Sequence, residues 1–96
     1  MNRVFLIGKI NRDITFTSYA SGKELVKSEI VVKDYYDENR RDFIPFKVDN
    51  NQPCYEYIKT CKKGDLIYIN GLLRYEKGRL YVEIENIMHE EDFNEY

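Results

Sequence analysis

The sequence predicts an all-β fold, a small five-stranded Greek-key barrel with one helix between the third and fourth strands. Three observations carry this. Five segments of strand character are separated by turn-forming residues. One segment with helical spacing falls between the third and fourth of them. The 96 residues fit a single small domain.

The first strand is Arg3 to Ile10, an apolar run interrupted by Gly8. A polar connection follows, and Ser21-Gly22 supplies a turn. The second strand runs from about Glu24 to Tyr35. Val26, Ser28, Ile30 and Val32 share one face, and Lys27, Glu29, Val31, Lys33 and Tyr35 share the other. Asp37 to Asp42 is polar or charged throughout and reads as a loop. The third strand, Phe43 to Asp49, alternates Ile44, Phe46 and Val48 with Phe43, Pro45, Lys47 and Asp49. Pro45 cannot donate to a ladder, so the strand is expected to be irregular or edge-like there.

Asn50-Asn51-Gln52-Pro53 opens the helix, since proline suits a first helical position. Cys54, Tyr57, Ile58 and Cys61 make its apolar stripe. Lys59, Lys62 and Lys63 fill the last turn, and Gly64 suits a left-handed cap. The fourth strand is Asp65 to Glu76, with Ile67, Ile69, Gly71 and Leu73 on one face. Lys77-Gly78 is a tight hairpin signal. The fifth strand runs from Arg79 to about Met88, with Leu80, Val82 and Ile84 expected inward.

Bulk properties narrow the class. Hydrophobic residues make up 43% of the chain, enough for a modest core, and at this size association would add stability. No apolar run approaches the ~20 residues of a membrane span, and no signal-peptide pattern opens the chain, so a cytoplasmic location is expected. Cys54 and Cys61, seven apart on the helix, would lie about 10 Å apart along its axis. That is too far for a disulfide, and both are expected to be small core residues. His89 has no metal-ligand partners at useful spacing. No nucleophile–base pair, metal cluster or phosphate loop appears, so neither an enzyme nor a cofactor is expected. The net charge is −2, but four of the seventeen acids, Glu90, Glu91, Asp92 and Glu95, fall in the last seven residues. Residues 1–89 carry 15 basic and 13 acidic side chains, a balance compatible with nucleic acid and with an ordinary surface alike.

The order β-β-β-α-β-β is that of an OB-fold barrel. Periodicity alone does not separate it from other small barrels; the position of the helix favours it. The expected organisation is an OB-fold domain over 1–88 and a short acidic tail over 89–96.

Several motifs are shared with one family. Asn2-Arg3 opens the first strand, Leu6-Ile7-Gly8 leads to its end, Arg12-Asp13 follows, and Ser21-Gly22-Lys23 comes ten residues on. Asp42-Phe43-Ile44, then Tyr57-Ile58-Lys59 with Lys62-Lys63-Gly64-Asp65-Leu66, then Ile69-Asn70-Gly71-Leu72-Leu73-Arg74 and Tyr81-Val82-Glu83-Ile84 continue the pattern in order. In these the chain resembles the bacterial and phage single-stranded DNA-binding (SSB) family, in a short form without the usual acidic C-terminal tip. The resemblance covers the chain to about residue 88. It implies sequence-independent binding and protection of single-stranded DNA in replication, recombination or repair. It also implies a homotetramer, or at least a homodimer built through the first strand.

Such binding needs cations for phosphates and aromatic rings for bases. Phe43 matches a stacking position and shares the outward register of its strand with Lys47. Tyr35 or Tyr36 stands where the family often carries another ring. Arg3, Lys9 and Arg12 match basic positions, and Lys33, Arg40 and Arg41 lie beside the tyrosines. Arg74 and Lys77 could clamp a strand on the closing hairpin. Tyr75 and Tyr81 could stack on bases there or pack against each other across the hairpin.

Some features depart from the family. There is no tryptophan. Asp49 stands where a further aromatic is usual, and the loop before Phe43 and the final hairpin are short. Fewer platforms imply a weaker binder, by roughly 2–4 kcal/mol per subunit for one or two lost rings. The acidic tail, with Phe93 and Tyr96, could recruit replication proteins or be a solvated end. The competing expectation is an OB-fold replication-accessory or interaction module with weakened DNA binding. RNA remains open as a ligand.

Overall fold

Six strands and one short helix form in a computed structural model that describes residues 1–89. They are β1 (Val4–Ile10), β2 (Thr15–Ser18), β3 (Glu24–Lys33), β4 (Arg41–Asp49), α1 (Tyr55–Ile58), β5 (Leu66–Glu76) and β6 (Arg79–His89). The expected tail beyond His89 lies outside the described residues.

The sheet order is β1-β5-β6-β4-β3-β2, and β1 also pairs with β3 at Lys9–Val31 and Ile10–Ile30. That pairing closes β1, β3, β4, β5 and β6 into a five-stranded barrel. β2 lies outside it as a ribbon on β3. β4 and β6 run parallel, at Phe46–Val82 and Lys47–Glu83, while the other pairs are antiparallel. With α1 between β4 and β5, this is the OB-fold topology.

Period-two alternation fills the interior. Ile10, Val26, Ile30, Phe46, Val48, Ile67, Ile69, Val82 and Ile84 are buried, and Cys54, Tyr55, Ile58 and Cys61 join the same core. A neighbouring backbone lies close against two of the glycines. An added Cβ at Gly8 would collide with the Val31 carbonyl oxygen, and one at Gly71 with that of Glu83. β5 and β6 slip register between Asn70–Asn86 and Gly71–Ile84, so Glu85 is the extra residue of a bulge.

Four details differ from the expectations. The polar connection after β1 contains β2, because Thr15–Ser18 completes its backbone bonds along β3. The helix is one turn. Ile58 N–H donates to Cys54 O, but Thr60 and Cys61 bond only three residues back, and the Thr60 hydroxyl also takes the Tyr57 carbonyl at 2.6 Å. That side-chain competition disfavours a longer helix. Leu73 and Leu80 keep the inward register but are exposed, because the β5–β6 hairpin extends beyond the barrel and none of the described residues covers its inner face. Tyr75 pairs with Leu80 and Tyr81 with Arg74, so the two tyrosines point to opposite sides of the hairpin and do not pack together.

Other expectations hold. Both cysteines are free and buried. The edge-like character at Pro45 is present, since β6 meets β4 only at Phe46 and Lys47. Lys77 and Gly78 both have positive φ, 52° and 77°, the geometry of a two-residue hairpin turn that matches strand twist.

Candidate nucleic-acid interface

The outward residues of β3 and β4 form one continuous surface. Leu25, Lys27, Glu29, Val31 and Lys33 stand opposite Asp49, Lys47, Pro45, Phe43 and Arg41. Lys9 joins it through its pairing with Val31. At ~3.3 Å per residue, the four steps from Lys47 to Phe43 span roughly 13 Å, so the two ends of the surface are separate neighbourhoods.

At one end the chain turns between β3 and β4. The Asp34 carboxylate accepts N–H bonds from Tyr36 at 2.9 Å and Asp37 at 2.8 Å, and these bonds hold its pKa below the ordinary carboxylate range. The turn presents Tyr35 and Tyr36 at 91% and 92% exposure, in an edge-to-face pair with centroids 4.9 Å apart. Phe43 is 56% exposed beside them along the strand. Arg40 is 3.2 Å from Asp42, and Arg41 donates to the carbonyls of Glu38 and Arg40. Arg12 lies 3.4 Å from Glu29 and keeps most of its side chain in solvent.

At the other end lies an open groove of about 990 Å³, between the β2–β3 turn and the β5–β6 hairpin. Lys23, Lys27, Lys47, Lys77 and Arg79 line it together with Asp49, Glu76 and Glu83. Tyr19 and Tyr81 add rings, and Leu25, Pro45 and Leu80 add apolar floor. The Lys47 ammonium sits 4.1 Å from the Tyr81 ring centroid, and the Tyr81 hydroxyl donates to Glu76 at 3.0 Å. Burial and the Glu76 bond raise the Tyr81 pKa, so the phenol stays neutral. Arg74 donates twice to one Glu83 oxygen, at 3.1 and 3.0 Å. Lys23 lies 3.4 Å from Asp49 Oδ2.

The sequence-derived residues thus fall into two groups and three outliers. Lys9, Lys33, Tyr35, Tyr36, Arg40, Arg41 and Phe43 belong to the turn end, and Arg12 lies between the ends beside Glu29, which stands opposite Pro45. Lys47, Arg74, Lys77 and Tyr81 belong to the groove end. Tyr75, on the inner side of the hairpin, is 71% exposed. Arg3, just before β1 and six residues from Lys9, is paired with Glu85 at the bulge. Sequence reasoning missed Tyr19, Lys23, Lys27 and Arg79 in the groove. Lys27 carried a signal, since its outward register on β3 matches that of Lys47 on β4; the hairpin register that sets them side by side is not local information.

The fold and this surface define an OB-fold chain with a cationic, aromatic-edged outer face. The model of the single-strand binding protein family matches residues 1–81, and the chain belongs to that family. Solved structures share the fold at low identity. The dimeric N-terminal domain of PriB protein from Thermoanaerobacter tencongensis is 22% identical, with 92% of this chain and 94% of that one covered and a TM-score of 0.75. Wild-type single-stranded DNA binding protein from Thermus aquaticus is also 22% identical, at TM-score 0.77, with 93% of this chain and 40% of that one covered. The mitochondrial single-stranded DNA binding protein Rim1 from S. cerevisiae is 18% identical, at TM-score 0.76, with 92% and 94% covered. A search of curated proteins found no match. Among the described residues, no helix is long and apolar enough to cross a membrane.

Proposed function

We propose that this protein binds single-stranded DNA along the outer face of β3 and β4, from the Tyr35–Tyr36 turn to the groove, in replication, recombination or repair. The observation that carries the reading is the pairing of exposed rings with cations at both ends of one surface. Tyr35, Tyr36 and Phe43 offer flat faces on which bases stack at about 1–3 kcal/mol each with little sequence preference. Lys9, Lys33, Lys27, Lys47, Lys77 and Arg79 offer phosphate contacts whose counterion release makes affinity fall with salt. The protein acts by binding, without an enzymatic step.

A second copy completes the reading. β1 pairs with β5 over Val4–Lys9 but with β3 only at Lys9 and Ile10, so among the described residues one edge of its first half is unpaired. Phe5 and Ile7 on its outer face are 62% and 56% exposed. An open edge with apolar side chains favours pairing of two protomers through β1, as a dimer or as half of a tetramer.

The alternative, an accessory module with weak DNA binding, draws support from the ion pairs that already engage Arg3, Arg12, Lys23, Arg40 and Arg74. Fluorescence anisotropy with labelled oligo-dT at two salt concentrations separates the readings. Binding that weakens with salt and drops on Phe43→Ala is the expected result. Absence of binding at low salt would leave the accessory reading.

A further inference from the structure

The groove contains a carboxylate whose one ion pair among the described residues is with a partly exposed lysine. Asp49 ends β4 with its side chain only 17% exposed, and its Oδ2 faces the Lys23 ammonium at 3.4 Å. Its Oδ1 is buried and accepts no hydrogen bond among the described residues. Lys23 follows Gly22 in the turn before β3, with its own side chain 54% exposed. The other two groove carboxylates are engaged: Glu83 by Arg74 and Glu76 by the Tyr81 hydroxyl.

A phosphate entering this groove competes for Lys23. If Lys23 turns to the phosphate, the largely buried Asp49 carboxylate loses its cation beside an incoming polyanion. Asp49 Oδ2, which Lys23 faces in the free protein, is then an acceptor without a donor, which is costly, so a ligand that brings a donor to the place Lys23 leaves has the advantage. Among nucleic-acid bases, cytosine, adenine and guanine carry exocyclic amines that donate to a carboxylate. Uracil and thymine present carbonyl oxygens at the corresponding edge positions, and their one edge donor, N3–H, lies between two carbonyl oxygens that a carboxylate repels.

We infer that Asp49 makes the groove end of this surface base-selective, favouring a base with an exocyclic amine over thymine or uracil. The inference rests on the single-stranded DNA reading and adds to it: stacking at the turn end accepts any base, while one position at the groove end does not. Lys23 then acts as an exchangeable counter-charge, held by Asp49 in the free protein and passed to a phosphate on binding.

Anisotropy titrations with oligo-dC and oligo-dU of equal length test this. The two ligands share a backbone and a pyrimidine ring and differ only at the 4-amino position and the ring nitrogen beside it. The wild-type protein is expected to bind oligo-dC about five- to tenfold more tightly, the lower part of the range for one carboxylate–amine contact. Asp49→Asn removes the charge and keeps the shape; it is expected to tighten oligo-dU binding and bring the ratio near one. Equal or tighter binding of oligo-dU by the wild-type protein overturns the inference without any variant. A ratio that persists in a folded Asp49→Asn protein overturns the assignment to Asp49. Binding to neither ligand at low salt removes the DNA reading itself, and the inference with it.

Discussion

The Asp34 carboxylate accepts two backbone N–H bonds and so sets the presentation of Tyr35 and Tyr36. Because those bonds depress its pKa in the folded loop, they are fully present above the ordinary value of 3.8 and are lost as pH falls through the lower folded value. The Tyr36 and Asp37 amide shifts are therefore expected to titrate together in NMR, with a midpoint below 3.8; a midpoint at or above it would show that the turn is not held this way. The cysteines behave oppositely. Burial, helped by the Asp65 charge, pushes the Cys61 thiol up to about 11, and burial raises that of Cys54 as well. A thiol that seldom ionises and is seldom exposed reacts slowly. A maleimide or disulfide reagent at neutral pH is expected to leave both cysteines intact in the folded protein and to label both after denaturation. Their burial was legible from an apolar stripe. The role of Asp34 was not, because an Asx-type turn depends on which backbone amides come back to the carboxylate.

Two elements carry the geometry of the site, the β1–β3 closure and the β5–β6 hairpin. Closure needs Gly8, since any side chain there meets the Val31 carbonyl. Gly8→Ala is expected to cost about 1–3 kcal/mol in urea unfolding, the usual range for forced overpacking; an unchanged midpoint would mean that β1 can move away freely. The hairpin turns through Lys77, whose positive φ is uncommon for a residue other than glycine. Lys77→Asn is expected to gain roughly 0.5–1 kcal/mol of stability from relieved backbone strain, and to weaken oligonucleotide binding by removing a groove cation. Both turn signals at this hairpin were readable in Lys77-Gly78. The β2 ribbon and the one-turn helix were not, because β2 exists only by pairing with β3 and the helix ends where Thr60 competes for the Tyr57 carbonyl. The inward assignment of Leu80 failed for a related reason. Alternation tells which side of a strand a residue takes, and it cannot tell where the barrel stops and the hairpin continues into solvent.

For the whole molecule, the order of elements and the inward residues from Val26 to Ile84 followed from local patterning and from the position of one helix, so the barrel was largely legible. The site was legible in half. The rings and cations flanking the β3–β4 turn are close in sequence. The groove brings together residues from the β2–β3 turn, β4 and the last hairpin, and only tertiary pairing does that. Assembly belongs to this scale too. Static light scattering is expected to give a mass that is a multiple of 11.6 kDa, with Ile7→Glu, a charge on the open strand, reducing it to a single chain. A wild-type monomer would contradict pairing through β1. The proposed function places single-stranded DNA along the β3–β4 face from the tyrosine turn to the groove. Titrating ¹⁵N-labelled protein with unlabelled oligo-dC and following backbone amide shifts tests this placement. Perturbations are expected in two clusters, one around residues 33–43 and one around Lys23, Lys27, Lys47 and the 74–81 hairpin, both shrinking as salt rises. Perturbations confined to the outer face of β1, or none at low salt, would contradict it.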